Sequence, residues 1–314
     1  MTNQYSAQAQ RRLYIQEVVT RDGFQAESQF IPTEEKIGLI NDLSRAGFAK
    51  IEVTSFTSPK AIPMLKDAEA VMRGIERVPG VEYTALIPNL KGAERALLVG
   101  VDEFNLVMSA SEAHNNANLK MSREDSFKAL KTVIELAQQN ETAVNVSLST
   151  SFGCPISGPT PQSDLMQWID RFADLGVRGI SICDTTGMAN PAQVQVICEQ
   201  AQVKHPELQW TLHFHNTRGM GLANALAALN SGINRFDSSL GGLGGCPYAP
   251  GATGNICTEE LVHMFDLMGE ETQMDIDLLL KCSGDLQKLV GRTLPSQLLM
   301  AGKVNAVHQA PYQH

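Results

Sequence analysis

Eight short strand-forming runs recur along the chain, most of them followed by an amphipathic stretch, and this alternation constrains the fold more than any other property of the sequence. The runs are Leu13 to Val18, Lys50 to Thr54, Val81 to Leu86, Glu103 to Met108, Ala143 to Leu148, Gly179 to Cys183, Trp210 to His215 and Arg235 to Ser238. Between them the apolar residues switch to helical spacing. Pro32-Thr33-Glu34-Glu35 opens a first helix carrying Ile37, Ile40 and Leu43, and further helices are expected at about Ala61 to Ile75, Leu90 to Val99, Arg123 to Gln139, Ser163 to Leu175, Pro191 to Val203 and Gly221 to Asn230. Gly47, Gly100, Gly176 and Gly232 each sit shortly before a strand. Counting a helix after the glycine-rich stretch near residue 250, the chain holds eight β/α units, which predicts an α/β fold, a closed (β/α)8 TIM barrel with extra C-terminal helices.

No linker or charge block divides the 314 residues, so a single domain over 1–314 is expected, with the barrel at about 12–257 and flanking helices at about 258–294. Hydrophobic residues make up 43% and charged residues 19%, the balance of a globular enzyme. The net charge of -9 argues against nonspecific nucleic-acid binding. A polar N-terminus and the lack of any apolar run near twenty residues predict a cytoplasmic protein without membrane attachment. The cysteines Cys154, Cys183, Cys198, Cys246, Cys257 and Cys282 show no Cys-x-x-Cys spacing, so neither a zinc ribbon nor a disulfide framework is expected.

A barrel of this kind places its chemistry at the C-terminal ends of the strands. There the first strand runs into Arg21-Asp22, which reads either as a surface ion pair or as a metal-bound carboxylate beside a cation able to hold an enolate. His213 and His215 lie two apart on one strand, so both imidazoles share a face and read as metal ligands. Gly241 to Asn255 contains six glycines, and such a loop is kept where backbone must approach something closely. Within it Asn255 is a turn residue or a fourth ligand. Asp22, His213, His215 and Asn255 together offer two oxygens and two nitrogens without a thiolate. That set favours Mg²⁺ or Mn²⁺ over Zn²⁺ or Co²⁺.

Cys246, between glycine and proline, is a candidate general acid or base, and Gly153-Cys154-Pro155 repeats the local pattern after the fifth strand. Glu52 and Asp184 add carboxylates at the same barrel end, to orient a ligand or relay protons, and Ser55 and Asn105 belong to the same rim. Asp237-Ser-Ser reads as a polar network of the core.

Taken together, Arg21-Asp22-Gly23-Phe24-Gln25, Ile51 to Phe56, Pro88-Asn89-Leu90-Lys91-Gly92, Asp184-Thr185, His213-Phe214-His215 and Gly242 to Asn255 resemble the 3-hydroxy-3-methylglutaryl-CoA lyase family of metal-dependent lyases, over about Val18 to Leu267. The resemblance implies cleavage of a 3-hydroxy-3-methylglutaryl thioester to acetyl-CoA and acetoacetate. It implies metal ligation by Asp22, His213, His215 and Asn255, and catalytic roles for Arg21, Cys246, Glu52, Asp184 and His213. Gln25, Ser55, Asn105 and Asn145 become candidates for substrate contact, an acyl-CoA the small-molecule partner, and a homo-oligomer the expected assembly. Asn145 stands where these lyases carry arginine and Phe24 where they carry leucine, so a related acyl group, such as a methylmalyl thioester, is the alternative substrate. A Claisen-condensing synthase of the isopropylmalate type shares the Arg-Asp motif but is disfavoured by the short C-terminal region and by Cys246.

Overall fold

The computed structural model describes residues 11–245 and 254–306. Eight parallel strands close into a barrel in sequence order: β1 (Tyr14–Glu17), β2 (Lys50–Ser55), β3 (Glu82–Leu86), β4 (Glu103–Ser109), β5 (Ala143–Ser149), β6 (Gly179–Asp184), β7 (Gln209–Phe214) and β8 (Arg235–Ser238), with β8 pairing back onto β1. The helices are α1 (Thr33–Ser44), α2 (Ala68–Gly74), α3 (Leu90–Leu97), α4 (Glu112–Leu119), α5 (Arg123–Gln139), α6 (Gln162–Ala173), α7 (Pro191–Lys204), α8 (Gly221–Asn230), α9 (Thr258–Met268), α10 (Ile276–Val290) and α11 (Gln297–Ala301). No described helix is long and apolar enough to cross a membrane.

Strand alternation sorts the chain into two chemistries. Ile51, Val53, Phe104, Leu106, Val146, Leu148, Ile180, Ile182, Leu212, Phe214 and Phe236 are buried in the apolar core that the strands share with the helices. The opposite set lines the barrel interior, which is polar rather than filled with branched aliphatics. A cavity of about 10 Å³, the size of one water, lies among Gln16, Thr84, Asn105, Asn145, Ser181 and Asp237. At the barrel floor Lys50 and Arg178 both pair with buried Glu103, and Arg178 also grips Glu82 with two bonds of 2.6 and 2.7 Å. Buried charges persist only when paired in this way.

Helix ends follow local chemistry. Asn89, Ser111, Ser122, Asn190 and Asp275 each accept a hydrogen bond from the first turn of α3, α4, α5, α7 and α10. The segment expected as one helix over Ala61 to Ile75 is instead a short 3-10 turn at Pro63–Leu65 followed by α2, since proline permits only a helix start at its own position. The additional helix α4 lies in an Asn-rich stretch without clear apolar spacing. After the glycine loop, α9 and α10 follow, with α10 packed against both α9 and α1.

Candidate active site

The site begins where β1 ends. Val19–Gly23 forms a single π-helical turn in which the amides of Arg21, Asp22 and Gly23 all point back to the carbonyl of Val18, the residue before it. Such widened turns recur at functional sites because they re-aim side chains. This one brings Arg21 against Glu52 and Asp22. Arg21 Nε donates to Glu52 Oε2 at 2.6 Å and Nη1 to Asp22 Oδ1 at 2.6 Å, leaving Nη2 as the donor that no other described residue engages. On β2 a bulge between Glu52 and Thr54 shifts the register against β3 beside Glu52. Asn105 Nδ2 donates to Glu52 Oε1 at 2.7 Å, while Asn105 Oδ1 accepts from Asn145 Nδ2 and Ser147 Oγ. An amide lattice therefore holds the carboxylate that in turn holds the guanidinium.

Asp22, His213 and His215 converge so that one ligand atom from each lies within 4.8 Å of the others. The two Nε2 atoms of the histidines are 3.2 Å apart. His213 Nδ1 sits 3.2 Å from Asp237 Oδ2, which accepts its proton and turns the Nε2 lone pair toward the cluster. Strand β7 ends at Phe214, one residue earlier than its sequence pattern suggested, and His215 instead makes an antiparallel bridge with Asn255. The far end of the glycine loop is thus paired to the backbone of the second histidine. Asn255 Nδ2 donates to Asp22 Oδ2 at 2.7 Å and to the Leu243 carbonyl, whereas its buried Oδ1 has no hydrogen-bond partner among the described residues.

Burial disfavours charge on Asp22, but Arg21 and the two imidazoles outweigh it and hold its pKa down at about 2. His215 is pushed down to about 3 by burial and by His213, so its ring is neutral across the physiological range. Burial also lowers His213, but Asp237 and Asp22 more than offset that and raise it. Glu52 is raised by burial against the pull of Arg21. Asp184 is raised to about 6 by burial although its Oδ1 accepts the Met188 and Ala189 amides; its buried Oδ2 has no partner among the described residues.

A carboxylate held ionised, two imidazoles whose Nε2 atoms meet and a buried amide oxygen that no described residue engages match the donor set of a divalent cation. These residues fit such an ion, and the orphaned Asn255 Oδ1 is the clearest sign, since a buried acceptor otherwise costs about 1–3 kcal/mol.

Of the other sequence candidates, Asn105 and Asn145 lie in the lattice beneath Glu52. The Ser55 hydroxyl is used in a local turn, donating to Thr57 Oγ1 at 2.8 Å, and Gln25 is exposed beyond the π-helical turn. Cys246 lies outside the described residues. Cys154 is held in the β5–α6 loop by Ser111 Oγ at 3.0 Å and by the amides of Ile156 and Ser157. Burial works against its thiolate but these donors win and lower its pKa. Cys183, Cys198, Cys257 and Cys282 are all raised by burial and read as inert. Asp237, taken from the sequence as core polarity, is the residue that orients His213.

Comparison with known proteins identifies the family. An HMGL-like family model matches residues 12–286. The chain is 44% identical over 293 residues to the hydroxymethylglutaryl-CoA lyase of Bacillus subtilis, covering 93% of this chain and 98% of that one. It is 37% identical over 291 residues to the human mitochondrial hydroxymethylglutaryl-CoA lyase, covering 93% and 90%. Among solved structures, an HMG-CoA lyase from Acinetobacter baumannii in complex with coenzyme A and 3-methylmalate superposes with a TM-score of 0.91 at 49% identity, over 95% of this chain and 98% of that chain. The carboxyl transferase domain of Rhizobium etli pyruvate carboxylase, at 16% identity and a TM-score of 0.71 over 92% of this chain and 49% of that one, shares the fold alone. The chain belongs to the HMGL-like family.

Proposed function

We propose that this enzyme is a divalent-metal-dependent carbon-carbon lyase that cleaves 3-hydroxy-3-methylglutaryl-CoA to acetyl-CoA and acetoacetate. The observation that carries the reading is the meeting of Asp22, His213 and His215, with an Asn255 Oδ1 that no described residue engages, beside the Arg21–Glu52 pair at one barrel mouth. In the reaction the tertiary hydroxyl loses its proton, its oxygen becomes the ketone of acetoacetate, and the C2–C3 bond breaks. The electron pair of that bond passes to C2 as a thioester enolate, which takes a proton to give acetyl-CoA.

Asp22, His213, His215 and Asn255 would hold Mg²⁺ or Mn²⁺. Such an ion would supply Lewis-acid polarisation at the substrate's tertiary hydroxyl, lowering the pKa of that group. Arg21, kept charged by Glu52 and Asp22 and with Nη2 engaged by no other described residue, suits the developing enolate oxygen. Glu52 fixes the guanidinium, and Asp184 supports the same rim. Cys246 is the proposed proton donor and acceptor, carried by the loop that Asn255 anchors. That loop closing over the site would exclude water from the enolate.

A second reading, a lyase for a methylmalyl-type thioester, is favoured by Asn145 in the pocket floor and by the 3-methylmalate held by the Acinetobacter relative. A panel of 3-hydroxyacyl-CoA thioesters assayed with Mg²⁺ or Mn²⁺ for acetyl-CoA release separates the two. Release from none of them would overturn both and point to a condensing enzyme. Acyl-CoA as partner, a homo-oligomeric assembly and a cytoplasmic location accompany the proposal.

A further inference from the structure

Beneath the metal-ligand turn lie two carboxyl groups that the chemistry above does not use. Glu17, the last residue of β1, and Glu259, in the first turn of α9, are both fully buried. Neither forms an ion pair with any described residue. Glu17 Oε1 accepts the Val19 amide at 2.8 Å, inside the turn that carries Arg21 and Asp22. The same oxygen accepts the Leu240 amide at 3.0 Å, at the near root of the glycine loop. Glu17 Oε2 lies 2.9 Å from Thr258 Oγ1, three residues past Asn255 at the far root. One carboxyl thus joins three segments: the turn that presents Asp22, the start of the loop and its end.

Glu259 takes the next amide, that of Gly241, at 3.0 Å and the Ser283 hydroxyl at 2.7 Å. Consecutive amides of one short turn therefore go to two different buried carboxyls, which places them side by side. Like charges so placed, without a cation, cannot both be carried cheaply in an apolar setting. The groups facing Glu17 are Glu259 from α9 and the buried thiol of Cys282 from α10, itself pushed up to about 12. Arg21, Lys50, Glu52 and Asp237, on the adjoining turn and strands, are engaged in pairs of their own at the barrel mouth and interior. Thr258 Oγ1 also lies 2.9 Å from Ser238 Oγ, so a protonated Glu17 can donate to Thr258, which donates onward to Ser238.

We propose that Glu17 is a neutral carboxylic acid that positions the metal site, fastening the Asp22 turn to both roots of the glycine loop so that Asp22 and Asn255 are held in register. It is a positioning residue and touches neither substrate nor ion. Burial pushes its carboxyl up to about 8 against the pull of its hydrogen-bond donors. The neutral form is therefore the folded form through neutral pH; as pH rises through about 8 ionisation puts an uncompensated buried charge beside Glu259, and that cost, rather than any loss of accepted hydrogen bonds, loosens the joint between the three segments. The part of this inference that concerns turnover rests on the lyase reading; the part that concerns ion binding does not.

The test measures Mn²⁺ affinity and turnover of full-length wild type, Glu17→Gln and Glu17→Ala between about pH 6 and 9.5, with circular dichroism to check folding. Glutamine keeps an acceptor oxygen for the two amides and a donor for Thr258, so Glu17→Gln is expected to match wild type within about twofold near neutral pH, whereas Glu17→Ala binds Mn²⁺ about tenfold more weakly or worse. Above about pH 8 the wild type is expected to fall several-fold below Glu17→Gln, because only the acid can ionise. Should Glu17→Ala fail to fold, Thr258→Val, which removes only the hydroxyl partner, is expected to show the Mn²⁺ loss in its place. A Gln variant as impaired as Ala at neutral pH, or one that fails to fold, would overturn the proposal, as would a wild-type to Gln ratio that does not change with pH. If the wild type cleaves no thioester, the lyase reading fails while the Mn²⁺ comparison still decides the role of Glu17.

Discussion

Asn255 Nδ2 donates to Asp22 Oδ2 at 2.7 Å, joining two residues 233 positions apart and leaving the other amide atom, Oδ1, buried with no partner among the described residues. On the proposed metal site, one side chain would both secure a ligand and serve as another. Replacing Asn255 with Ala should weaken Mn²⁺ or Mg²⁺ binding about 10–100-fold, the range typical for groups supporting a metal site. Titration of the purified variant with Mn²⁺ measures this, and wild-type affinity would remove Asn255 from the site.

Asp237 controls which nitrogen of His213 faces the cluster. Exchanging it for Asn removes the anionic acceptor at 3.2 Å from Nδ1 while preserving shape. Metal affinity is expected to drop by about tenfold or more with the melting temperature little changed. An unchanged affinity would mean that the His213 tautomer does not depend on Asp237.

Gly244 has φ +141°, and a Cβ there would come within 2.7 Å of Asn255 Nδ2. Gly244→Ala should displace the Asn255 amide and cut turnover by about tenfold or more, with a smaller effect on global stability. Gly38, whose Cβ position is open, is the control. Alanine there is expected to be neutral or to stabilise by about 0.4–1 kcal/mol. Equal activity of the two variants would show that the contact at Gly244 is relieved without cost.

Cys246 and Cys154 are separable by substitution. Cys246→Ser is expected to lower kcat by about 10²–10⁴ with KM and folding retained, as for loss of a positioned proton-transfer group. Cys154, whose described partners are Ser111, Ser157 and Ile156 in its own surroundings, should tolerate serine with near wild-type turnover. The reverse pattern would reassign the thiol chemistry to Cys154.

At the opposite end of the barrel, Glu103 neutralises Lys50 and Arg178 together. Glu103→Gln strands buried positive charge and is expected to cost about 3–5 kcal/mol of stability, read by urea unfolding, while leaving metal affinity unaltered. A loss below 1 kcal/mol would show that water reaches the floor network.

Much of this was legible before any coordinates because it depends on local rules. The eight strands follow from alternation, and His213 with His215 from the two-residue period of a strand. Arg21 and Asp22 follow from their place after the first strand of a barrel. Asp237 was not legible in the same way: its contact with His213 exists because the β7–β8 register places those two residues opposite each other, which is a tertiary fact. The pairing of His215 with Asn255 is likewise a meeting of segments remote in sequence. Glu17 gave no signal, since a carboxyl at the end of an apolar strand reads as solvent-facing until the loop roots are seen to close over it. Helix α4 escaped because its Asn-rich sequence has helical capping at Ser111 but little helical periodicity.

A Cβ on Gly254 would meet the Gly244 backbone at 2.4 Å, so the two ends of the glycine loop touch. Chain leaving at one point and returning to the same point adds nothing to the circumference of the barrel, and its length is uncoupled from the strand register on either side. The segment between these glycines is in effect an exchangeable cassette. Residues could be inserted into it, or the whole stretch transplanted from a relative, without moving Asn255, so that stretch can diversify in sequence while Asn255 keeps its contact with Asp22.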